Sequence, residues 1–150
     1  MENIFEQFTI TILKLNKLVN KIKTYEMQKY GLKTIHVMCA YYLKNHPEGL
    51  TASELTRLTL EDKAAISRAL KTMHEKGYVN YDPNKYNAVI LLTKEGEKLA
   101  AEISEKATRA VNAGSYEFTE KERLSFYHSL SAIAKNLEVY YGGLSAKETV

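Results

Sequence analysis

The chain has 150 residues, 45% hydrophobic and 26% charged, a length and balance that fit one globular domain with a real core. Its formal net charge of +3 is too small to announce a polyanionic partner by itself, and a single cysteine excludes an internal disulfide framework. No apolar run approaches the ~20 residues of a membrane-spanning helix, and "MENIFEQFTI" has no basic stretch before an apolar core, so a cytoplasmic protein with no membrane partner is expected.

The elements follow in chain order. Asn3 to Tyr30 carries Ile4, Phe8, Ile12, Leu15, Val19 and Ile22 at spacings of three and four, which predicts a long helix. Asn3 with Glu6 resembles a capping box, and Gly31 ends the run. At 1.5 Å per residue this helix is roughly 40 Å long, more than a small domain can cover, so a second subunit is expected. A second helix spans about Thr34 to Lys44 and stops at "NHPEG". A third starts at "TASE", where Thr51 and Glu54 have capping-box spacing, and runs to about Leu58. Asp62 to Gly77 supplies a fourth.

The period then changes. Tyr78–Tyr81 and Ala88–Leu92 are β-branched or aromatic runs around the turn-rich "DPNKYN", which predicts a two-stranded hairpin. A fifth helix begins at Thr93 and ends near Gly114. A sixth begins at Thr119 and Glu122 and is expected to stop at Gly142–Gly143.

Two short helices, a tight turn and a hairpin form the winged helix-turn-helix order. The expected fold class is therefore mainly α with a small β-hairpin wing. Residues 32–93 would form the DNA-binding unit. Residues 1–31 and 94–145 would form a helical dimerisation region within a single compact domain. On the fourth helix, Ile66, Ala69, Leu70 and Met73 share an inner face, while Ala64, Ser67, Arg68 and Lys71 share the outer one, with Lys63 on its flank. Small residues let a backbone sink into a major groove roughly 12 Å wide, and arginine can take guanine N7 and O6 in a fork. Residues 47–93 hold six basic and six acidic side chains, so a polyanion-binding surface there must arise from spatial sorting. A merely solvated helix face, with a hairpin that only tethers the core, stays open on pattern alone.

The joined pieces resemble the MarR family of bacterial transcription regulators. That family shows E-L, then D-K-x-x-(V/I)-(S/T)-R, then E-x-G-(Y/L)-(V/I), a wing and L-T-x-x-G. Glu54–Leu55, Asp62–Lys63, Ile66–Ser67–Arg68, Glu75, Gly77–Tyr78–Val79 and Leu92–Thr93 with Gly96 match in register, within about residues 50–96. The resemblance implies a homodimer on a pseudo-palindromic double-stranded DNA site, usually a repressor released by a small molecule or an oxidant. Carried over by position, Lys63, Ala64, Ala65, Ser67, Arg68 and Lys71 would face the major groove. Thr51 and Ser53 would touch phosphates. Members often have hydroxyl residues where Ala64 and Ala65 stand, which substitutes contact with thymine methyls for hydrogen bonding. Members also often show D-x-R at the wing tip, where this chain reads Asn84–Lys85–Tyr86, so Lys85 is expected to hold a phosphate.

An aromatic or acidic effector, which the family commonly seats between the DNA-binding unit and the dimer helices, would find candidates in Tyr25, His36, Cys39 and Tyr42. The alternatives are ordinary core and surface tyrosines and an inert packed thiol in place of an oxidant sensor. His36, His46, His74 and His128 show no local metal-ligand spacing, so neither a metal nor a cofactor is expected. No phosphate loop, nucleophile elbow, H-E-x-x-H or C-x-x-C is present, which argues against an enzyme. The alternatives to a ligand-responsive repressor are a winged helix used for protein–protein assembly and a thiol- or metal-responsive relative.

Overall fold

The computed structural model describes residues 3–148, so residues 1 and 2 of the expected 1–31 segment lie outside the described ones. The described elements are α1 (Ile4–Met27), a 3-10 turn (Gln28–Tyr30), α2 (Thr34–Asn45), β1 (Leu50–Thr51), α3 (Ala52–Thr59), α4 (Lys63–Glu75), β2 (Val79–Asn80), β3 (Val89–Leu92), α5 (Lys94–Gly114) and α6 (Glu120–Lys147). They fall into two compact units, residues 1–108 and 109–150.

In the first unit the sequence dictates each helix start. The Asn3 side chain accepts the Glu6 N–H. Thr51 and Glu54 close a reciprocal box, with Thr51 N–H donating to Glu54 Oε2 at 2.8 Å and Glu54 N–H donating to Thr51 Oγ1 at 3.2 Å. Asp62 Oδ1 takes the Ala65 N–H at 2.7 Å, satisfying a donor that the first turn of α4 would leave free. That helix closes as firmly. Gly77 sits at φ 77°, its N–H reaches His74 O at 3.0 Å, and Tyr78 N–H reaches Met73 O at 2.9 Å. This is a Schellman closure, and a side chain at Gly77 would strain its left-handed backbone.

One core holds the unit together. Met27, Leu32, Cys39, Leu43, Leu55, Ile66, Met73, Val79, Ile90 and Leu99 are buried in a single cluster that draws on α1, α2, α3, α4, both hairpin strands and α5. The inner face expected for α4 is borne out: Ile66, Ala69, Leu70 and Met73 are all buried.

Three details correct the sequence reading. The sheet has three strands in the order β1-β3-β2, not two. Leu50 pairs with Ile90 and Thr51 with Val89, on the opposite edge of β3 from Val79 and Asn80. A two-residue strand leaves no alternation to read, so its pairing emerges only once β3 is in place. The strand expected over Tyr78–Tyr81 is also shorter, Val79–Asn80. Finally, α6 runs through Gly142–Gly143 to Lys147. Neither glycine takes a positive φ, and a helical glycine costs only about 1 kcal/mol, too little to end a 28-residue helix.

The turn between α3 and α4 carries an uncompensated strain. Leu60 adopts φ 59° with its side chain 88% exposed, so burial does not offset the left-handed conformation. Leu60→Gly is expected to raise folding stability by about 0.5–1 kcal/mol, measured as a shift in denaturant midpoint at unchanged slope. An unchanged or lower midpoint would show that the leucine is held by contacts rather than strained.

The second unit is built on the end of α5 and on α6. Ser115 closes the turn by donating its hydroxyl to Val111 O at 2.7 Å, and its carbonyl accepts Phe118 N–H. Thr119 and Glu122 form the expected capping box, and Arg123 Nη1 donates to Asn112 Oδ1 at 3.1 Å. Leu124, Phe126, Ile133, Leu137, Tyr140 and Leu144 remain exposed along α6.

Candidate nucleic-acid interface

The outer face of α4 is small, polar and cationic. Lys63, Ala64, Ser67, Arg68 and Lys71 are exposed, and Ala65 is half-buried. Among the described residues, none of Lys63, Arg68 and Lys71 is within ion-pair distance of a carboxylate. Mixed charge in the sequence has thus been sorted in space. The helix is 13 residues long, about 20 Å at 1.5 Å per residue, and its capped N-terminus adds a partial positive charge.

At the start of α3 the two expected hydroxyls differ. Thr51 Oγ1 is half-buried and committed to Glu54, accepting its N–H and donating to Oε2 at 3.1 Å. Ser53 is exposed. An internal cap and a phosphate contact compete for one hydroxyl, so Ser53 is the better placed of the pair.

The wing is braced from both ends. Asp82 Oδ1 accepts Asn84 N–H at 2.9 Å and Asp82 O accepts Lys85 N–H at 3.2 Å, so the turn folds on its own aspartate. Asn84, Lys85 and Tyr86 are all exposed. At its base, Thr93 N–H donates to Tyr78 O at 3.0 Å, the Thr93 hydroxyl donates to Gly77 O, and Gly96 N–H donates to Thr93 Oγ1 at 3.1 Å. The L-T-x-x-G spacing therefore ties the end of α4, the wing and the first turn of α5 into one joint. Sequence reading matched this motif without seeing that mechanical role.

The four residues considered for an effector are not gathered in one cavity. Tyr25 is 78% exposed and lines an open depression of about 430 Å³ with Glu26, Gln28, Lys29 and Lys106. His36 and Cys39 are buried in α2, and Tyr42 packs on the core with its ring edge-on to Tyr41 at 5.4 Å. Helical spacing put Tyr42 and Cys39 toward the packed interior, and Tyr25 lies on another helix. Around the depression, Lys106 pairs with Glu26, and Lys29 pairs with Glu102 at 3.0 Å.

Burial pushes the Cys39 thiol up to about 12, with the Glu61 charge adding to it. The thiolate is the oxidisable form, so this sulfur is poorly suited to sensing oxidants. Among the described residues no three His, Cys, Asp or Glu side chains gather into a metal-ligating group, and no helix is long and apolar enough to cross a membrane.

His36 has a structural task. Its Nδ1 accepts the Lys33 N–H at 2.8 Å while its own N–H donates to Lys33 O at 3.0 Å, a closed loop at the start of α2. Burial, then the nearby Lys33 and Lys76 charges, hold the imidazole below its ordinary range. The folded imidazole thus titrates below the unfolded value near 6.5, so this contribution is complete above about 6.5 and is lost as pH falls from there through the lower folded value. His36→Asn, which keeps an acceptor and takes no proton, should lose less stability between pH 7.5 and pH 5.5 than the parent. Identical pH profiles in thermal unfolding would contradict the assignment.

A helix-turn-helix whose second helix presents an unpaired cationic face beside a braced wing defines the winged helix-turn-helix class. A model of the MarR family matches residues 30–85. The fold is that of a MarR protein from Peptoclostridium difficile DA00132, with a TM-score of 0.82 at 19% identity, covering 96% of this chain and 95% of that one. A MarR/EmrR family transcriptional regulator from Acinetobacter sp. ADP1 is similar at TM-score 0.74 and 26% identity, covering 91% and 98%. A MarR family regulator from Listeria monocytogenes, solved with a 26mer DNA, is similar at TM-score 0.73 and 20% identity, covering 91% and 90%. A comparison with curated proteins finds no match. The resemblance read from the sequence is borne out: residues 30–85 match the MarR-family model, and the fold is that of solved MarR structures.

Proposed function

We propose that the chain is a DNA-binding transcriptional regulator that reads duplex DNA with α4 and steadies it with the wing. The observation that carries this is the exposed outer face of α4, where Lys63, Arg68 and Lys71 stand around small residues with no carboxylate partner among the described residues. Residues 32–93 would be the DNA-binding unit. Residues 1–31 and 94–145 would carry a homodimer on a pseudo-palindromic operator. Support for a second subunit comes from α1, where Phe5, Ile12, Leu15, Val19 and Ile22 are exposed, and separately from the exposed apolar side chains of α6. Repression relieved by a small aromatic or acidic effector completes the reading, and the open depression beside Tyr25, lined also by Glu26, Gln28, Lys29 and Lys106, is where such a molecule would sit.

The direct test is affinity for random and selected duplexes as a function of salt. Binding should fall steeply with salt, and a selected duplex should outcompete random DNA by roughly 10³-fold or more. No binding at low salt would instead favour a winged helix that assembles with protein.

A further inference from the structure

Three lysines that reach across to another element meet oxygen acceptors: Lys29 pairs with Glu102, Lys106 with Glu26, and Lys44 donates to Ser104 Oγ at 2.9 Å. Lys23 does not. It is half-buried on α1, and its Nζ donates to Met38 Sδ of α2 at 3.2 Å. A thioether is a weak, uncharged acceptor, so it occupies an N–H without supporting the positive charge. Among the described residues no carboxylate stands within ion-pair distance of Lys23, and Glu26, one turn further along α1, pairs with Lys106. Burial holds the Lys23 amine below the ordinary lysine range.

We propose that Lys23 is an acylation site, the lysine of this chain that a small acyl phosphate modifies first. The proposal is independent of the DNA-binding reading above. The free amine is the nucleophile, and a lysine whose charge is buried without support supplies more of it at neutral pH. Its nitrogen attacks the carbonyl carbon of the acyl phosphate, and an N–C bond forms. The C–O bond to phosphate breaks, phosphate leaves with the bonding pair, and the displaced amine proton passes to water. The seam between α1 and α2 favours a short chain such as acetyl, because a long one would have to part the two helices. The product is a neutral amide that keeps one N–H for Met38 Sδ and carries no charge for burial to penalise. Acylation therefore suits this position, whereas at Lys29 or Lys106 it would break an ion pair.

The test treats the full chain with limiting acetyl phosphate, then denatures it and caps the remaining amines with deuterated acetic anhydride. Mass spectrometry then reads the fraction acetylated in the folded state at each lysine. At pH 7.5 Lys23 should label at least roughly 3-fold faster than Lys14 and Lys17, which are exposed on the same helix. Near pH 11, where lysines in general are mostly free amine, access should decide and the lead should vanish. Met38→Leu keeps the surroundings apolar and should keep the lead. Met38→Glu sets a carboxylate beside the ammonium and should remove it. Lys23 labelling no faster than Lys14 and Lys17 at pH 7.5 would overturn the proposal. So would a lead that persists near pH 11 or after Met38→Glu, since access alone would then explain it.

Discussion

Gly96→Ala is expected to lower folding stability by about 3 kcal/mol, the upper part of the range for forcing extra atoms into a packed site. Helix propensity points the other way, since alanine in a helix is favoured over glycine by about 1 kcal/mol. The geometry decides. A Cβ on Gly96 would lie 1.9 Å from the carbonyl oxygen of Tyr78 and 2.9 Å from its carbonyl carbon, backbone atoms that cannot swing aside. That same oxygen accepts Thr93 N–H, so moving it breaks the joint between wing and α5. For a chain of this size the loss corresponds to a drop in melting temperature of about 6–12 °C. Gly114→Ala is the control, because a Cβ there meets nothing within 4 Å and only the propensity gain remains. A Gly96→Ala protein as stable as the parent would mean that the close approach of α5 to Tyr78 is not a constraint.

The second large effect is on binding. Arg68→Ala should weaken selected-duplex affinity by about 1–3 kcal/mol and relax the preference at one base pair, as removal of a bidentate guanine contact does. Arg68 is exposed on α4 with no ion-pair partner among the described residues, and alanine is a good helix former, so folding should be untouched. Lys71→Ala should instead weaken binding to all sequences alike. Equal affinity and equal sequence preference after Arg68→Ala would remove its assigned role. Arg68→Lys separates charge from geometry, since a point cation cannot form the fork.

Much of this was legible in the sequence because the informative residues act locally. The boxes at Thr51–Glu54 and Thr119–Glu122, the Asp62 cap and the Gly77 closure depend on neighbours three to five residues away. The inner face of α4 follows from helical period alone. What escaped reading depends on distant partners. β1 exists because Leu50 meets Ile90, forty positions on, and Gly96 matters because Tyr78 O arrives at its α-carbon. Exposure divides Tyr25 from Cys39 and Tyr42, which composition had grouped together as aromatic and thiol candidates.

Cys39 has a practical corollary for the wing. It is the chain's one cysteine, fully buried, and burial pushes its thiol up to about 12, far from the reactive thiolate form at pH 7. A second cysteine placed at an exposed position such as Lys85 would meet a maleimide probe almost alone, without first removing the native one. The folded chain thus comes with a silent thiol background, suited to attaching a fluorophore or spin label at the wing and watching that tip encounter DNA.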